Sequence, residues 1–242
     1  VVSARAREYD IGEADEAQLE FRVAAFFGTD STAFDDIAQG TDVHAYTAKI
    51  IGISRQEAKA HTFKPLYGGV SGTEAEQAYY QAFKDKYIGI SRQQEEWVDR
   101  ALKHKRLVLQ TGQRFYYPNI EITKSGYVKG NTQVRNFPIQ YLATAEIVPM
   151  AVVCAWHLLK AYGAKTFITN TIHDSIIAEV PQKERELFTE IMVKSLQDFP
   201  KYYLNAMYGI DFNVPLTAET AIKDHWAEKD DGEDWETKML AK

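Results

Sequence analysis

From Thr166 to Val180 the chain alternates isoleucine, threonine and valine with other residues, then interrupts itself with the polar triplet His173-Asp174-Ser175. The alternation has the period of a strand and the polar break reads as a tight turn, so two strands, and with them a sheet, are required here. Most of the remaining chain demands helices. Phe137 to Tyr162 reads as a long apolar helix stopped by Gly163, and Glu184 to Tyr203 is amphipathic with helical period.

Ser54 followed by Glu57 forms a capping box for a helix beginning near Arg55. Asp42 to Ile51 reads as a short helix, and Thr73 to Lys86 and Arg92 to Lys103 carry helical periodicity behind Ser or Thr. Gln18 to Phe27 is apolar enough for a buried strand running into a helix. No internal repeat or low-complexity block appears, and Pro and Gly are scattered rather than gathered into a linker. The expected class is mixed α and β.

At 242 residues with 45% hydrophobic content, the chain can bury the core of one large domain or two packed subdomains. Its longest apolar stretch, Ile147 to Leu159, is broken by Pro149 and His157 and falls short of the roughly 20 residues of a membrane helix. No membrane span is expected, and no basic and apolar leader directs export, so the expected location is the cytoplasm. Cys154 is the single cysteine, which excludes an intramolecular disulfide and a cysteine-based zinc cluster. The start at Val1 rather than Met suggests a processed product or a piece of something longer.

The net charge of −6 argues against a protein that coats nucleic acid, but the distribution is uneven. Between Arg100 and Arg135 eight basic residues (Arg100, Lys103, Lys105, Arg106, Arg114, Lys124, Lys129, Arg135) face one acid, Glu121. Both a phosphate-facing stripe and a solvated helix and loop satisfy this window. From Glu219 onward eight acids outnumber four bases, a tail expected to lie away from any duplex.

Transfer of a phosphoryl group needs carboxylates for divalent ions and fixed cations for the triphosphate. Two acids from distant strands suffice for the first task, and Asp15 and Asp174 are candidates. For the second, Arg55, Lys59, Phe63 and Tyr67 recur at every fourth position, which on a helix aligns two cations and two aromatics on one face. Taken singly, each feature also has an ordinary reading as a solvated acid, a turn or an amphipathic helix.

The ordered set is more specific. Asp15-Glu16-Ala17-Gln18-Leu19-Glu20-Phe21-Arg22 resembles the first motif of the A-family DNA polymerases, phage-type branches in particular. Arg55, Lys59, Phe63, Tyr67 and Gly68 match the second, and Thr171-Ile172-His173-Asp174 the third. Thr111-Gly112-Gln113-Arg114 through Pro118, Asn136-Phe137-Pro138-Ile139-Gln140 and Pro215-Leu216 through Trp226 are similar to further stretches of that family. The resemblance implies an α+β fold: an A-family palm of antiparallel sheet with helices, plus a helical fingers subdomain. Its divisions would be 1–27 (first part of the palm), 28–111 (fingers) and 112–242 (second part of the palm, with the His-Asp hairpin and the acidic tail).

The same resemblance implies template-directed addition of deoxynucleotides to a primer with two Mg²⁺ ions, Mn²⁺ substituting. Asp15, Asp174 and the backbone oxygen of Glu16 would hold metal. Arg55 and Lys59 would hold the triphosphate, Lys59 also protonating the leaving pyrophosphate. Glu20 would crowd the sugar 2′ position, Phe63 would face the 3′ position and Tyr67 would sit at the templating base. Arg22, Gln140, His173 and Arg114 would touch primer or template, while His44 reads as a buried hydrogen-bonding residue. The implied partners are a DNA primer-template and deoxynucleoside triphosphates, with no membrane, and the setting a bacterial host cytoplasm if the chain is phage-encoded.

Three departures stand out. Ser175 occupies the place of a second acid after His-Asp. Pro65 falls inside the second motif, so its helix should kink or end near Phe63. Only fourteen residues precede Asp15, which implies that the thumb and the first part of the palm are not on this chain, as in one half of a split polymerase whose remainder a second polypeptide supplies, or in a fragment of a longer one. The alternative is a DNA-binding or structural fragment, inactive without that partner chain.

Overall fold

A computed structural model describes residues 2–5, 8–68 and 72–226. In chain order its elements are β1 (Val2–Ser3), β2 (Tyr9–Glu16), α1 (Leu19–Gly28), α2 (Ser31–Ala38), α3 (Val43–Ile51), α4 (Arg55–Thr62), a 3-10 turn (Lys64–Tyr67), α5 (Glu74–Lys86) and α6 (Ile88–His104). Four short strands follow: β3 (Arg106–Val108), β4 (Arg114–Tyr116), β5 (Glu121–Ile122) and β6 (Val128–Lys129). Then come α7 (Asn131–Gln140), a π segment (Tyr141–Ile147), α8 (Val148–Ala161), β7 (Phe167–Ile172), β8 (Ser175–Pro181), α9 (Arg185–Val193), a second π segment (Lys194–Asp198), α10 (Phe199–Tyr208), β9 (Ala218–Lys223) and β10 (His225–Trp226). The class is α+β, and the chain divides into two compact units, 1–17 with 150–199 and 217–242, and 18–149 with 200–216.

The first unit is built on a four-stranded antiparallel sheet in the order β7-β8-β2-β9. Ala14, Ile176, Ala178 and Val180 from its strands pack with Phe188, Ile191 and Met192 of α9 and with Ala151, Ala155 and Leu159 of α8. Asp10, 3% exposed on β2, receives two guanidinium nitrogens of Arg185 at 2.6 Å, which ties the start of α9 to the sheet. A buried carboxylate is tolerable because of that pairing.

The second unit is helical, with an aromatic centre in which Phe21 lies 5.1 Å from Tyr87 and 6.0 Å from Phe63 between ring centroids. Its helices α1 and α6 come together through glycines. A Cβ on Gly28 would stand 2.6 Å from the Ile90 nitrogen, and one on Gly89 2.6 Å from the Gly28 carbonyl oxygen.

Several expectations need amendment. The strand assigned to the start of Gln18–Phe27 lies earlier, at Tyr9–Glu16, because the run from Leu19 is helical with one face buried. The helix expected at Arg92 begins at Ile88. The Ser54–Glu57 capping box is present, both reciprocal bonds made, and Thr73 and Glu76 form a second one.

The helix expected over Phe137–Tyr162 starts earlier and ends one residue sooner, in a helical run Asn131–Ala161 that by length and composition alone could cross a membrane. Pro149 does not interrupt it. Instead the π segment precedes it, opening the turn whose carbonyl a proline ring would otherwise strike, and the second π segment precedes Pro200 in the same way. Ile139, Leu142, Ile147, Ala151, Ala155 and Leu159 of this run are buried in protein, the pattern of a core helix.

Candidate active site

The sheet register brings the two candidate acids to neighbouring strand ends. Asp15 on β2 pairs across the ladder with Ser175, the first residue of β8, and Asp174 immediately precedes Ser175 in the turn. Both acids are half-buried. The β7–β8 turn holds His173 at φ 54°, and three residues past Asp15 the chain turns through Gln18 at φ 55°. These are two of the four described non-glycine residues with left-handed backbone, a conformation that costs energy and concentrates at functional sites. Ser175 donates its hydroxyl to the Ile172 carbonyl at 3.0 Å, closing the turn.

Sequence reasoning missed Glu219. On its other edge Asp15 pairs with Glu219 of β9, and residues directly opposite in an antiparallel pair share a face with their Cβ atoms about 5 Å apart. Two like charges so placed repel unless a cation offsets them. The alternation of the closing strand was the available clue. Glu16, on the opposite side of the pleat from Asp15, is 1% exposed.

The remaining candidates belong to the helical unit. Arg55 opens α4, and its Nε lies 2.6 Å from Asp42, which also caps α3 by accepting from the amides of His44 and Ala45 at 3.0 Å. Burial pushes the Asp42 carboxyl up, but the Arg55 bond and charge and the two amide bonds outweigh it and hold it below its ordinary 3.8. A depressed value stabilises the fold above the unfolded-state value and ceases to do so as pH falls through the folded one. Arg55→Gln is therefore expected to move the Asp42 titration, followed by NMR, back toward 3.8. The backbone of Lys59 lies on α4; its side chain is outside the described residues.

Helix α4 ends at Thr62, with Phe63 as its cap and Pro65 inside the following 3-10 turn. This is the early end that Pro65 requires, and it corrects the single four-residue stripe: Arg55 and Lys59 occupy the helix, while Phe63 and Tyr67 are placed by the turn. Phe63 packs on Phe21 and, edge to face, on His44 at 5.3 Å. His44 Nδ1 meets the Thr62 hydroxyl at 2.9 Å, so it serves as a hydrogen-bonding residue.

Tyr67 donates its hydroxyl to the Glu20 carboxylate on α1. Buried Gln94 fixes the turn from below, donating to the Leu66 carbonyl at 2.6 Å and accepting from Arg135 at 3.3 Å. Gly68 follows at φ 71°, with Arg135 so close that a Cβ would meet its Cδ at 2.9 Å. Arg22 is buried, with its guanidinium donating to the Pro215 carbonyl. Gln140, Arg114 and His173 are exposed.

The sequence profile described as DNA polymerase family A matches residues 1–228. DNA polymerase I of Aquifex aeolicus (strain VF5) is 26% identical over 244 residues, covering 88% of this chain and 38% of that protein. DNA polymerase I of Bacillus subtilis (strain 168) is 24% identical over 242 residues, covering 91% and 26%. The chain thus spans between a quarter and two-fifths of the length of these relatives. Among solved structures, the POL domain of Pol1 from M. smegmatis, in complex with DNA primer-template and dNTP, superposes with a TM-score of 0.73 at 21% identity, covering 93% of this chain and 41% of that one. A shared backbone, three ordered motifs and a profile match over almost all of its length lead to one assignment: the chain belongs to DNA polymerase family A.

Proposed function

We propose that the chain performs template-directed DNA synthesis, joining deoxynucleotides to a primer 3′ end. The observation that carries this reading is the register that sets Asp15 opposite Ser175 and thereby next to Asp174. The donor set consists of hard oxygen atoms, carboxylates of Asp15 and Asp174 with the backbone oxygen of Glu16, and Glu219 adds negative charge on the same face. Such a donor set suits Mg²⁺, which binds through one or two carboxylates and keeps several waters. Mn²⁺ would substitute. Bound there, the ions supply activation of the primer hydroxyl and charge compensation at the leaving pyrophosphate.

The protein's own groups take the other tasks. Arg55 and Lys59 hold the triphosphate, and Lys59 donates a proton to the departing oxygen. Glu20, held by Tyr67, blocks a sugar 2′ hydroxyl, and Tyr67 lies at the templating base. Gln140, His173 and Arg114 contact primer or template; Arg22 joins them on leaving Pro215. The palm would comprise 1–27 and 112–242, the fingers 28–111, and the site of action would be the cytoplasm. This agrees with the DNA primer-template and dNTP of the M. smegmatis complex.

A second reading, DNA binding without activity unless a further polypeptide is present, is favoured by Ser175, whose hydroxyl is spent on the turn. Primer extension with Mg²⁺ or Mn²⁺ separates the two: incorporation only of the base complementary to the template supports synthesis, and stable binding without incorporation supports the second reading. Phe63→Tyr is expected to raise dideoxynucleotide acceptance at least tenfold by supplying a hydroxyl near the vacant 3′ position; unchanged termination ratios in a sequencing ladder would place Phe63 elsewhere.

A further inference from the structure

The two-stranded ribbon β3–β4 has one face in the core and one in solvent. Leu107 and its partner Phe115 point inward, Leu107 at 4% exposure and Phe115 against Phe137 and Tyr141. The outward face carries two cross-strand pairs, Arg106 opposite Tyr116 and Val108 opposite Arg114. All four are exposed, Tyr116 at 63% and Val108 at 50%. Among the described residues no ion pair involves Arg106 or Arg114, nor Arg100 and Lys103 in the last turns of α6, from which the ribbon emerges. Val108 and Arg100 also border a cavity of about 340 Å³ with Phe27, Trp97, Gln110 and Thr111, at the small end of the ~300–1,000 Å³ range of ligand pockets.

We infer that this outer face is a platform for single-stranded DNA, on which Arg114, assigned above to primer or template, acts together with Arg106, Tyr116 and Val108. The choice of ligand rests on the polymerase reading, but the physical case is local. Unpaired cations interleaved with an exposed aromatic ring are complementary to a strand whose phosphates and base faces are both free. A duplex hides its base faces and would use only the charges, leaving Tyr116 and Val108 in water. The bordering cavity has room for a base turned off the strand, with Arg100 at its rim for the adjoining phosphate.

The test is fluorescence anisotropy of the whole chain with a labelled ten-residue oligothymidine and, separately, a blunt-ended hairpin duplex. Tyr116→Ala is expected to weaken oligothymidine binding on the order of tenfold and Tyr116→Phe to restore it, with duplex affinity within about twofold throughout. In the double variant Arg106→Ser with Arg114→Ser, the log–log salt slope for the oligonucleotide should fall by about 1.4, roughly 0.7 per lost phosphate contact. Circular dichroism melting verifies that each variant is folded. Unchanged oligothymidine affinity, an equal loss on duplex, or displacement of the oligonucleotide by polyglutamate at matched charge would each overturn the inference. Primer extension by the unsubstituted chain keeps the two readings apart: a chain that binds oligothymidine through Tyr116 yet extends nothing leaves the platform standing and removes the polymerase reading.

Discussion

Asp174→Ala is expected to reduce primer extension by about three orders of magnitude while leaving the dissociation constant for primer-template within a few-fold of the unsubstituted chain. The lost carboxylate is a proposed metal ligand, and several kcal/mol of transition-state stabilisation corresponds to a factor of this size. It is not a phosphate contact, so DNA affinity has no reason to follow. Asp15→Ala should behave alike, and the double variant should be little worse than either, because groups acting on one centre are not additive. The β7–β8 turn gives a built-in control. Its closure by Ser175 on the Ile172 carbonyl remains available to the variant, and thermal melting verifies that the variant compared is folded. An extension rate within tenfold of the parent would refute the assignment.

The largest effect on stability is expected far from the acids, at Asp30. This residue is 4% exposed and one carboxylate serves two helices: it caps α2 by accepting from the Ala33 amide at 3.0 Å, and it accepts from the amides of Gly89 and Ile90 at 2.7 and 3.1 Å at the start of α6. Gly28 and Gly89 bring the α1 and α6 backbones into contact at the same place. Asp30→Ala would strand three amides, and about 4 kcal/mol is expected from their desolvation together with the lost cap. Urea unfolding monitored by circular dichroism would show it as a lower midpoint at unchanged slope. A loss below about 1 kcal/mol would mean that the α1–α6 crossing is held by packing alone.

What could be read from the sequence was local and chemical. The Ser54–Glu57 box, the His173-Asp174 turn and the end of α4 near Phe63 each follow from residues a few positions apart, and the structure has all three. What could not be read was set by partners distant along the chain. Glu219 lies opposite Asp15 only because β9 pairs with β2, and the apolar residues from Leu19 form a helix because tertiary packing, not alternation, buries them. The Asp42–Arg55 pair likewise depends on α3 and α4 folding back on each other. Pro149 misled for a further reason: a helix tolerates a proline when the preceding turn widens, and nothing in the local composition announces a π segment.

The central claim is that Asp15 and Asp174 share a divalent cation site, and Mn²⁺ titration followed by electron paramagnetic resonance, with dATP present, tests it without requiring turnover. The account predicts saturable binding that disappears in Asp15→Ala and in Asp174→Ala taken singly and weakens only a few-fold in Glu219→Gln. Retention of full Mn²⁺ affinity after loss of either aspartate would contradict it.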